Sequence, residues 1–179
     1  METNLIICGS GGQGVLLAGT LLAYASLKEN KHITWLPSYG AEKRGGLSYC
    51  AVVISDSEIF SPVVGNPKTI IGLDNIGIDT YETTLSKNGL IILNSSLIKR
   101  DIKRKDAEVI KVPFNDLAKE IGNPRVLNMM ALGVYIAQTK VLRLDSLIIS
   151  LGNVISKRYL DMLECNKKAL EKGYEIGKG

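Results

Sequence analysis

The sequence predicts an α/β protein built as a three-layer α/β/α sandwich around a Rossmann-like, mostly parallel sheet. Three observations support this class. A glycine-rich turn joins a short apolar run to a helix-like run near the start of the chain, further short apolar runs follow, and the last third has helical periodicity. The length of 179 residues, without a visible linker or internal repeat, favours one domain over residues 1–179.

The predicted strands are short apolar runs bounded by glycine, proline or polar turn residues. In chain order they are residues 4–8, 32–36, 47–55, 69–73, 90–93 and 109–112. The first run ends at Gly9, Asp74 directly follows the fourth, and the Asn88-Gly89 pair predicts the turn before the fifth. The first two strands and the helix between them are predicted to form one βαβ unit.

The predicted helices are the segments in which apolar residues recur with a period near 3.6. They are residues 15–28, residues 76–86, a helix that begins at Pro124, and residues 157–174. Asn123 suits the N-cap of the third, because its side chain accepts a backbone hydrogen bond and proline fits the first helical position. The closing helix is amphipathic, with an apolar stripe formed by Leu160, Leu163, Leu170 and Tyr174.

Composition excludes several classes of function. The net charge of +4 depends largely on a lysine and arginine run at residues 99–105, which we interpret as a solvated loop, and aromatics at 6% argue against nucleic-acid binding. No apolar stretch is long enough for a membrane span or a signal peptide, which predicts a cytoplasmic protein. The three cysteines are too few for a four-iron cluster, and the single histidine, His32, lies in a predicted strand as a packing residue.

The turn after the first strand is the first candidate site. Its glycines have the G-x-G-x-x-G spacing, as Gly9-Ser10-Gly11-Gly12-Gln13-Gly14. Such a loop brings backbone N–H groups and a helix N-terminus to a phosphate or carboxylate, although glycines also simply permit tight strand-to-helix packing. A dinucleotide site would want an acidic residue at the end of the second strand, where this chain has Trp35, Leu36, Pro37 and Ser38.

A second loop follows the second strand, over residues 38–46. Parallel strands end at the same edge of a sheet, so this loop is expected to converge with the glycine loop. Arg44 could grip a phosphate or carboxylate through its planar guanidinium, and Glu42 could supply a polar contact. Tyr39 could stack against a ring or simply pack. A charged surface turn explains the same residues.

Together, Gly9 to Val15 and Pro37 to Gly46 resemble the paired signatures of the gamma subunit, or gamma domain, of 2-oxoacid:ferredoxin oxidoreductases. Further similar stretches bring the resemblance to nearly the whole chain: residues 59–62, 89–96 and 122–133. In the second loop this chain has Ala41 where the family more usually has proline. The lead-in from Pro37 to Gly40, with Cys50, is more similar to the 2-oxoglutarate and branched-chain members than to the indolepyruvate ones.

That family oxidatively decarboxylates a 2-oxoacid on thiamine diphosphate, reduces ferredoxin through iron–sulfur clusters and forms an acyl-coenzyme A. The resemblance implies an accessory gamma subunit without catalytic residues, working in a hetero-oligomer beside alpha, beta and delta-type subunits that hold thiamine diphosphate, magnesium and the clusters. Coenzyme A would be a shared substrate. The residues implied to contact it are Gly9, Gly11, Gly12, Gln13, Gly14, Tyr39, Glu42 and Arg44, and the glycine loop could instead contact only a partner subunit.

The resemblance implies 2-oxoglutarate as the substrate and anaerobic metabolism as the context. Exposed apolar surface is expected around the loops and the closing helix, and a homodimer of the isolated chain is compatible with the sequence. Two alternatives stay open: a free-standing nucleotide or dinucleotide-binding enzyme, and a regulatory module for an acyl-coenzyme A or nucleotide.

Overall fold

A computed structural model of the chain describes residues 1–39, 45–155, 159 and 161–179. Its centre is a six-stranded sheet with the strand order β2-β3-β1-β4-β5-β6. The strands are β1 (Glu2–Ser10), β2 (His32–Tyr39), β3 (Leu47–Ser55), β4 (Thr69–Gly72), β5 (Leu90–Asn94) and β6 (Glu108–Val112). The helices are α1 (Val15–Lys28), α2 (Asn75–Tyr81), α3 (Phe114–Glu120), α4 (Leu127–Thr139), α5 (Leu144–Val154) and α6 (Asp161–Lys178).

The strand directions confirm the predicted class and add one feature to it. Strands β1, β4, β5 and β6 are parallel, whereas β3 runs antiparallel to both β1 and β2 and lies between them. The predicted βαβ unit therefore has its two strands in the same direction but not side by side. An apolar run shows that a strand is buried, but it carries no information about the direction in which the strand is paired.

Helix boundaries differ from the predictions where a short 3-10 turn intervenes. Helix α2 is shorter than expected and passes into a 3-10 turn at Glu82–Thr84. Asn123 caps a 3-10 turn at Pro124–Val126, accepting a hydrogen bond from the Arg125 N–H at 3.0 Å, and α4 begins only after it. The predicted start of the closing helix, including Leu160, falls at residues 156–160, of which only 159 is described.

The two faces of the sheet are covered unequally. Alternating side chains of β1 serve two cores, with Leu5 and Ile7 in one and Ile6 and Cys8 in the other. The larger core packs against α1, α3, α4, α5 and α6. The smaller one is covered by α2, the 3-10 turn after it and the segment around Ile98. None of the described helices is long and apolar enough to cross a membrane.

A buried carboxylate holds the thinner layer together. Glu82 is 2% exposed, accepts hydrogen bonds from the Lys103 and Arg104 backbone N–H groups, and pairs with Arg100 at 2.8 Å. The Arg104 guanidinium, hydrogen-bonded to Asp106, holds the pKa of that carboxyl well below its usual range. The basic run at residues 99–105 was predicted to be a solvated loop, but two of its arginines, Arg100 and Arg104, pair with carboxylates.

Helices α4 and α6 cross so closely that their backbones touch. Cβ atoms added at Gly133 or Gly173 would overlap the carbonyl oxygens of Leu170 or Met130, and one at Gly177 would lie 2.8 Å from the Val134 carbonyl oxygen. The described part of the predicted apolar stripe of α6, Leu163, Leu170 and Tyr174, packs into the same core. Glycines set this crossing because any side chain would separate the helices.

Gly173→Ala is expected to lower the free energy of unfolding by about 1–3 kcal/mol, because the new methyl group has no space against α4. The matched control is Gly152→Ala in α5, where an added Cβ meets nothing within 4 Å. There the gain in helix propensity should raise stability by about 0.5–1 kcal/mol. Urea titration followed by circular dichroism measures both, and equal shifts would contradict the packing argument.

Candidate functional site

The two predicted loops meet at the carboxyl edge of the sheet. Ser10 pairs with Leu47 at the end of β1, and the Gly11 N–H donates a 3.1 Å hydrogen bond to the Gly46 carbonyl oxygen. The expected convergence of the loops is confirmed by this contact. Tyr39 ends β2 at the same edge.

The remaining residues predicted in the second loop cannot be placed. Glu42 and Arg44 lie outside the described residues, as does the side chain of Tyr39. Their roles stay predictions. His32 is exposed at the start of β2, an edge strand, and pairs there with Ser55 at the opposite end of the sheet from the glycine loop.

The glycine loop is braced from within by Gln13. The Ser10 N–H donates to the Gln13 Oε1 atom at 2.8 Å, and Gln13 Nε2 donates to the Leu73 carbonyl oxygen at 3.4 Å. A Cβ at Gly9 would overlap that amide. The side chain of Gln13 therefore shapes the loop, and its N–H also serves the turn by donating to the Ser10 carbonyl oxygen at 3.2 Å. Its contact with a ligand stays a prediction.

Asn128, at the start of α4, fixes the end of the loop. Its Nδ2 donates to the Gly14 carbonyl oxygen at 2.9 Å, and Gly14 has φ 75°, a conformation that favours glycine. Asn128 is 2% exposed, and its Oδ1 atom is buried with no hydrogen-bond partner among the described residues. An unpaired buried acceptor costs about 1–3 kcal/mol, so the contact with Gly14 is kept at some expense of stability.

A second set of polar contacts joins the loop to the thinner layer. The Ser10 hydroxyl donates to Asp74, and Asp74 in turn caps α2 by accepting the Gly77 N–H at 3.0 Å. At the end of β5, the strand beside β4, Asn94 Nδ2 donates to the Leu73 carbonyl oxygen at 2.8 Å. The loop is therefore held at both ends, by α4 and by α2.

Beside the loop lies a groove of about 420 Å³. Its wall is mostly apolar, with polar groups at Arg125, Asn128 and Asn166, and its lining consists of Gly12, Gly14, Leu17, Arg125, Asn128, Val154, Ile155, Tyr159, Met162 and Asn166. The N–H groups of Gly12 and Gly14 make no hydrogen bond to another described residue. Two N–H donors without a partner among the described residues, a helix N-terminus and a guanidinium thus border one apolar groove, which can hold an anionic group attached to an apolar body.

The groove brings together residues that are far apart in sequence. Arg125 and Asn128 come from the segment after α3, and Met162 and Asn166 come from α6, more than a hundred residues from the glycine loop. Asn128 lies in the 122–133 stretch that carries the resemblance, and from the sequence it could orient a loop or simply cap or pack a helix; the structure places its amide on the Gly14 carbonyl oxygen. Arg125, Met162 and Asn166 were not predicted as site residues, and their position beside Gly14 follows from the packing of α4 and α6.

The cysteines do not form a reactive centre. Cys8 and Cys50 are fully buried and belong to different cores, on opposite faces of the sheet. Burial raises the pKa of the Cys50 thiol to about 12 and raises that of Cys8 above its usual range, with the Asp74 carboxylate adding to the latter. No group of three or more potential metal ligands occurs in the part of the chain that the structure describes.

The fold and the loop define an α/β protein with a glycine loop at the carboxyl edge of its sheet. The model of the pyruvate ferredoxin/flavodoxin oxidoreductase family matches residues 4–176. The chain therefore belongs to this family, and the resemblance found in the two loops is confirmed.

Two relatives show how the chain relates to longer and shorter members. The 2-oxoglutarate synthase subunit KorC of Methanocaldococcus jannaschii is 33% identical over 181 residues, which cover 99% of this chain and 95% of that protein. The ketoisovalerate oxidoreductase subunit VorA of Methanothermobacter marburgensis is 36% identical over 136 residues. That match covers 76% of this chain but only 28% of VorA, so the chain spans under a third of the longer relative.

Solved structures agree with the fold. The gamma subunit of a keto/oxoacid ferredoxin oxidoreductase from Geobacter sulfurreducens PCA has a TM-score of 0.86 and 26% identity, covering 99% of this chain and 97% of that one. The 2-oxoglutarate:ferredoxin oxidoreductase from Magnetococcus marinus, with 2-oxoglutarate, coenzyme A and succinyl-CoA bound, has a TM-score of 0.89. At 18% identity, over 99% of this chain and 31% of that one, it shows a shared fold.

Because two of the three cysteines are buried, the three thiols should react with thiol reagents at different rates. At pH 8 iodoacetamide is expected to alkylate Cys165, which is partly exposed on α6, and to leave Cys8 and Cys50 unmodified because their thiols are buried and protonated. Mass spectrometry of the native protein should show one modification, and unfolding in guanidinium chloride should release the other two. Rapid native labelling of Cys50 would contradict the buried placement.

Proposed function

We propose that this chain is the gamma subunit of a thiamine-dependent 2-oxoacid:ferredoxin oxidoreductase, where it forms the coenzyme A side of the active site and part of the subunit interface. The single observation that carries the proposal is the groove at the N-terminus of α1, where the free N–H groups of Gly12 and Gly14 lie beside Arg125. The family of the chain supplies the chemical context for this groove.

The chemistry of coenzyme A fits the groove. Its phosphates suit the helix N-terminus and the Arg125 guanidinium, and its adenine and pantetheine parts suit the apolar wall formed by Leu17, Ile155 and Met162. The Magnetococcus marinus relative of the same fold has coenzyme A bound, which supports this ligand.

The chain would act through partners. Its groove would supply binding and positioning, while thiamine diphosphate, magnesium and iron–sulfur clusters would reside on alpha, beta and delta-type subunits that pass electrons to ferredoxin. The edge of the sheet that carries the glycine loop would face those subunits. Tyr39, Glu42 and Arg44 of the second loop are proposed to contribute to the same contact.

We propose 2-oxoglutarate as the substrate of the complex. The support is the KorC relative, which matches almost end to end, whereas the VorA match covers a small part of a longer protein. The test is ferredoxin reduction by the anaerobically purified complex with coenzyme A and a series of 2-oxoacids. Activity with 2-oxoglutarate alone is the expected result, and preference for a branched-chain 2-oxoacid would overturn the substrate assignment.

A self-contained binding module is the second candidate, because the glycine loop, Arg125 and the apolar wall already border one groove. Isothermal titration of the isolated chain with coenzyme A and with adenine nucleotides measures this capacity. If the chain binds such ligands yet never co-purifies with thiamine-binding and iron–sulfur subunits, the module is favoured over the oxidoreductase subunit.

Arg125→Ala in the reconstituted complex is expected to raise the KM for coenzyme A about tenfold, because a charge-assisted hydrogen bond contributes about 1.5–3 kcal/mol and 1.4 kcal/mol is a factor of ten. The KM for the 2-oxoacid should stay unchanged. Arg143→Ala is the control, since that arginine has a side chain 78% exposed and lies at the other end of α5. Equal effects of the two variants would contradict the role of Arg125.

A further inference from the structure

One edge of the sheet ends in a strand that carries no protecting charges. In the part of the chain that the structure describes, β2 is the outermost strand on its side, and its residues 32–38 contain no lysine, arginine, aspartate or glutamate. Trp35 is 36% exposed and Leu36 is 44% exposed. The opposite edge strand, β6, carries the exposed charged side chains of Glu108 and Lys111, which is how proteins commonly prevent an edge from pairing with another chain. The β2 edge lacks this protection.

The register of β2 shows which of its backbone groups face outwards. Pro37 pairs with Cys50 of β3 but has no N–H to donate, so this pair lies at a position without ladder hydrogen bonds. Because hydrogen-bonded and non-hydrogen-bonded pairs alternate along an antiparallel ladder, the N–H and C=O groups of Ile33 and Trp35 also point away from β3. These groups make no hydrogen bond to another described residue. A row of such groups is satisfied by a further strand, which defines the chemistry of the partner.

A second copy of β2 satisfies this row when the two strands pair antiparallel about a two-fold axis at Thr34. Ile33 of each copy then exchanges both of its backbone hydrogen bonds with Trp35 of the other copy. The next pair on either side places Pro37 opposite Lys31. Pro37 has no N–H, and the Lys31 N–H is already bonded within its own chain at 3.0 Å. The ladder between the two copies therefore uses every free donor in this part of β2.

The side chains fit this pairing on both faces of the sheet. On the face covered by α1, Ile33 lies opposite Trp35 of the second copy, and an aromatic side chain beside a β-branched one is a favourable cross-strand pair. On the other face, the exposed Leu36 lies opposite His32, which is exposed as well. No lysine, arginine or carboxylate of residues 32–38 is brought against a like charge, because this segment has none.

Helix α1 adds apolar surface beside this edge. The Trp35 indole lies against Gly19, where an added Cβ would be 2.5 Å from the indole Nε1 atom. Gly19, Ala23 and Leu27 form one i, i+4 row of α1, and Leu27 is 59% exposed. The described part of α6, by contrast, exposes no large apolar side chain, although apolar surface was expected on the closing helix. Two-fold pairing of β2 would place both copies of α1 on the same face of one continuous sheet.

We propose that β2 pairs with β2 of a second copy of this chain, in the register centred on Thr34, and joins the two sheets into one. The assembly closes as a dimer, because each copy uses its uncharged edge and the charged β6 edges stay at the two ends. No residue of β2 is among the described residues that line the groove beside the glycine loop. This inference goes beyond the proposed function and does not depend on it, since it concerns two copies of this chain alone.

The first test is sedimentation equilibrium of the full chain with a charge introduced at the edge. Leu36→Lys places a lysine opposite His32 of the second copy, and it should raise the dissociation constant of the dimer about tenfold, because two equivalent cross-strand pairs are lost at once. Adding His32→Glu should restore the affinity, since each lysine then faces a glutamate of the other copy. Within one copy, positions 32 and 36 are about 13 Å apart along the strand, so the rescue reports contact between copies.

Ile149→Lys is the matched control for the added charge. That side chain is 63% exposed on α5 and is not part of the edge strand, so the dimer should be unaffected.

Disulfide formation at the two-fold axis is an independent test. Thr34→Cys in a Cys165→Ser background places two thiols at opposite positions of a non-hydrogen-bonded pair, where the Cα atoms are about 4.5 Å apart and a disulfide can form. Cys8 and Cys50 are buried and do not compete. Mild oxidation should give a covalent dimer, whereas Ile149→Cys in the same background should remain a single chain on a denaturing gel.

A dimer that Leu36→Lys weakens, that the double variant restores and that Thr34→Cys cross-links supports the proposal. A chain that stays monomeric at every concentration, or a dimer that Leu36→Lys leaves unchanged, would overturn it, and failure of His32→Glu to restore the dimer would overturn the register. Unfolding curves that match the unaltered chain establish that the variants are folded. For any charge variant that does not fold, the Thr34→Cys result decides the question.

Discussion

The hydrogen bond from the Asn128 side chain to the Gly14 carbonyl oxygen joins the first turns of α1 and α4, which are 114 residues apart in sequence. The groove beside the glycine loop exists because these two helix starts are held next to each other. Helix α4 is in turn fixed by its glycine-mediated crossing with α6. The core under α1, α3, α4, α5 and α6 therefore holds the Asn128 amide in place. The position of the candidate site depends in turn on that amide.

The same layer arrangement explains why the molecule has two faces of different character. Five helices on one side of the sheet complete a core and leave a groove at its edge, while the other side has one short helix and loops. The Glu82 cluster and the Asp74 cap add polar contacts to the smaller apolar core of that thin layer. The thin layer also leaves Phe60 exposed to water.

Within the glycine loop, most polar groups already make hydrogen bonds inside the protein. Gln13 braces the turn, the Gly11 N–H is bonded to Gly46, and Ser10 is bonded to Asp74. The N–H groups of Gly12 and Gly14 have no hydrogen-bond partner among the described residues, and they border the same groove as Arg125. A helix N-terminus beside a guanidinium favours an anion.

The sequence by itself determined the α/β class, the limits of most strands and of α1, the shape of the glycine loop and, through two motifs, the family. These features are local, because apolar periodicity, turn residues and caps act within a few positions of the chain. Only the tertiary structure decided that β3 runs antiparallel between β1 and β2, that Arg125 and Asn128 meet the loop, and that Phe60 is left in water. Each of these depends on contacts between residues far apart in sequence, where strand direction and helix packing are chosen by the whole core and not by any segment within it.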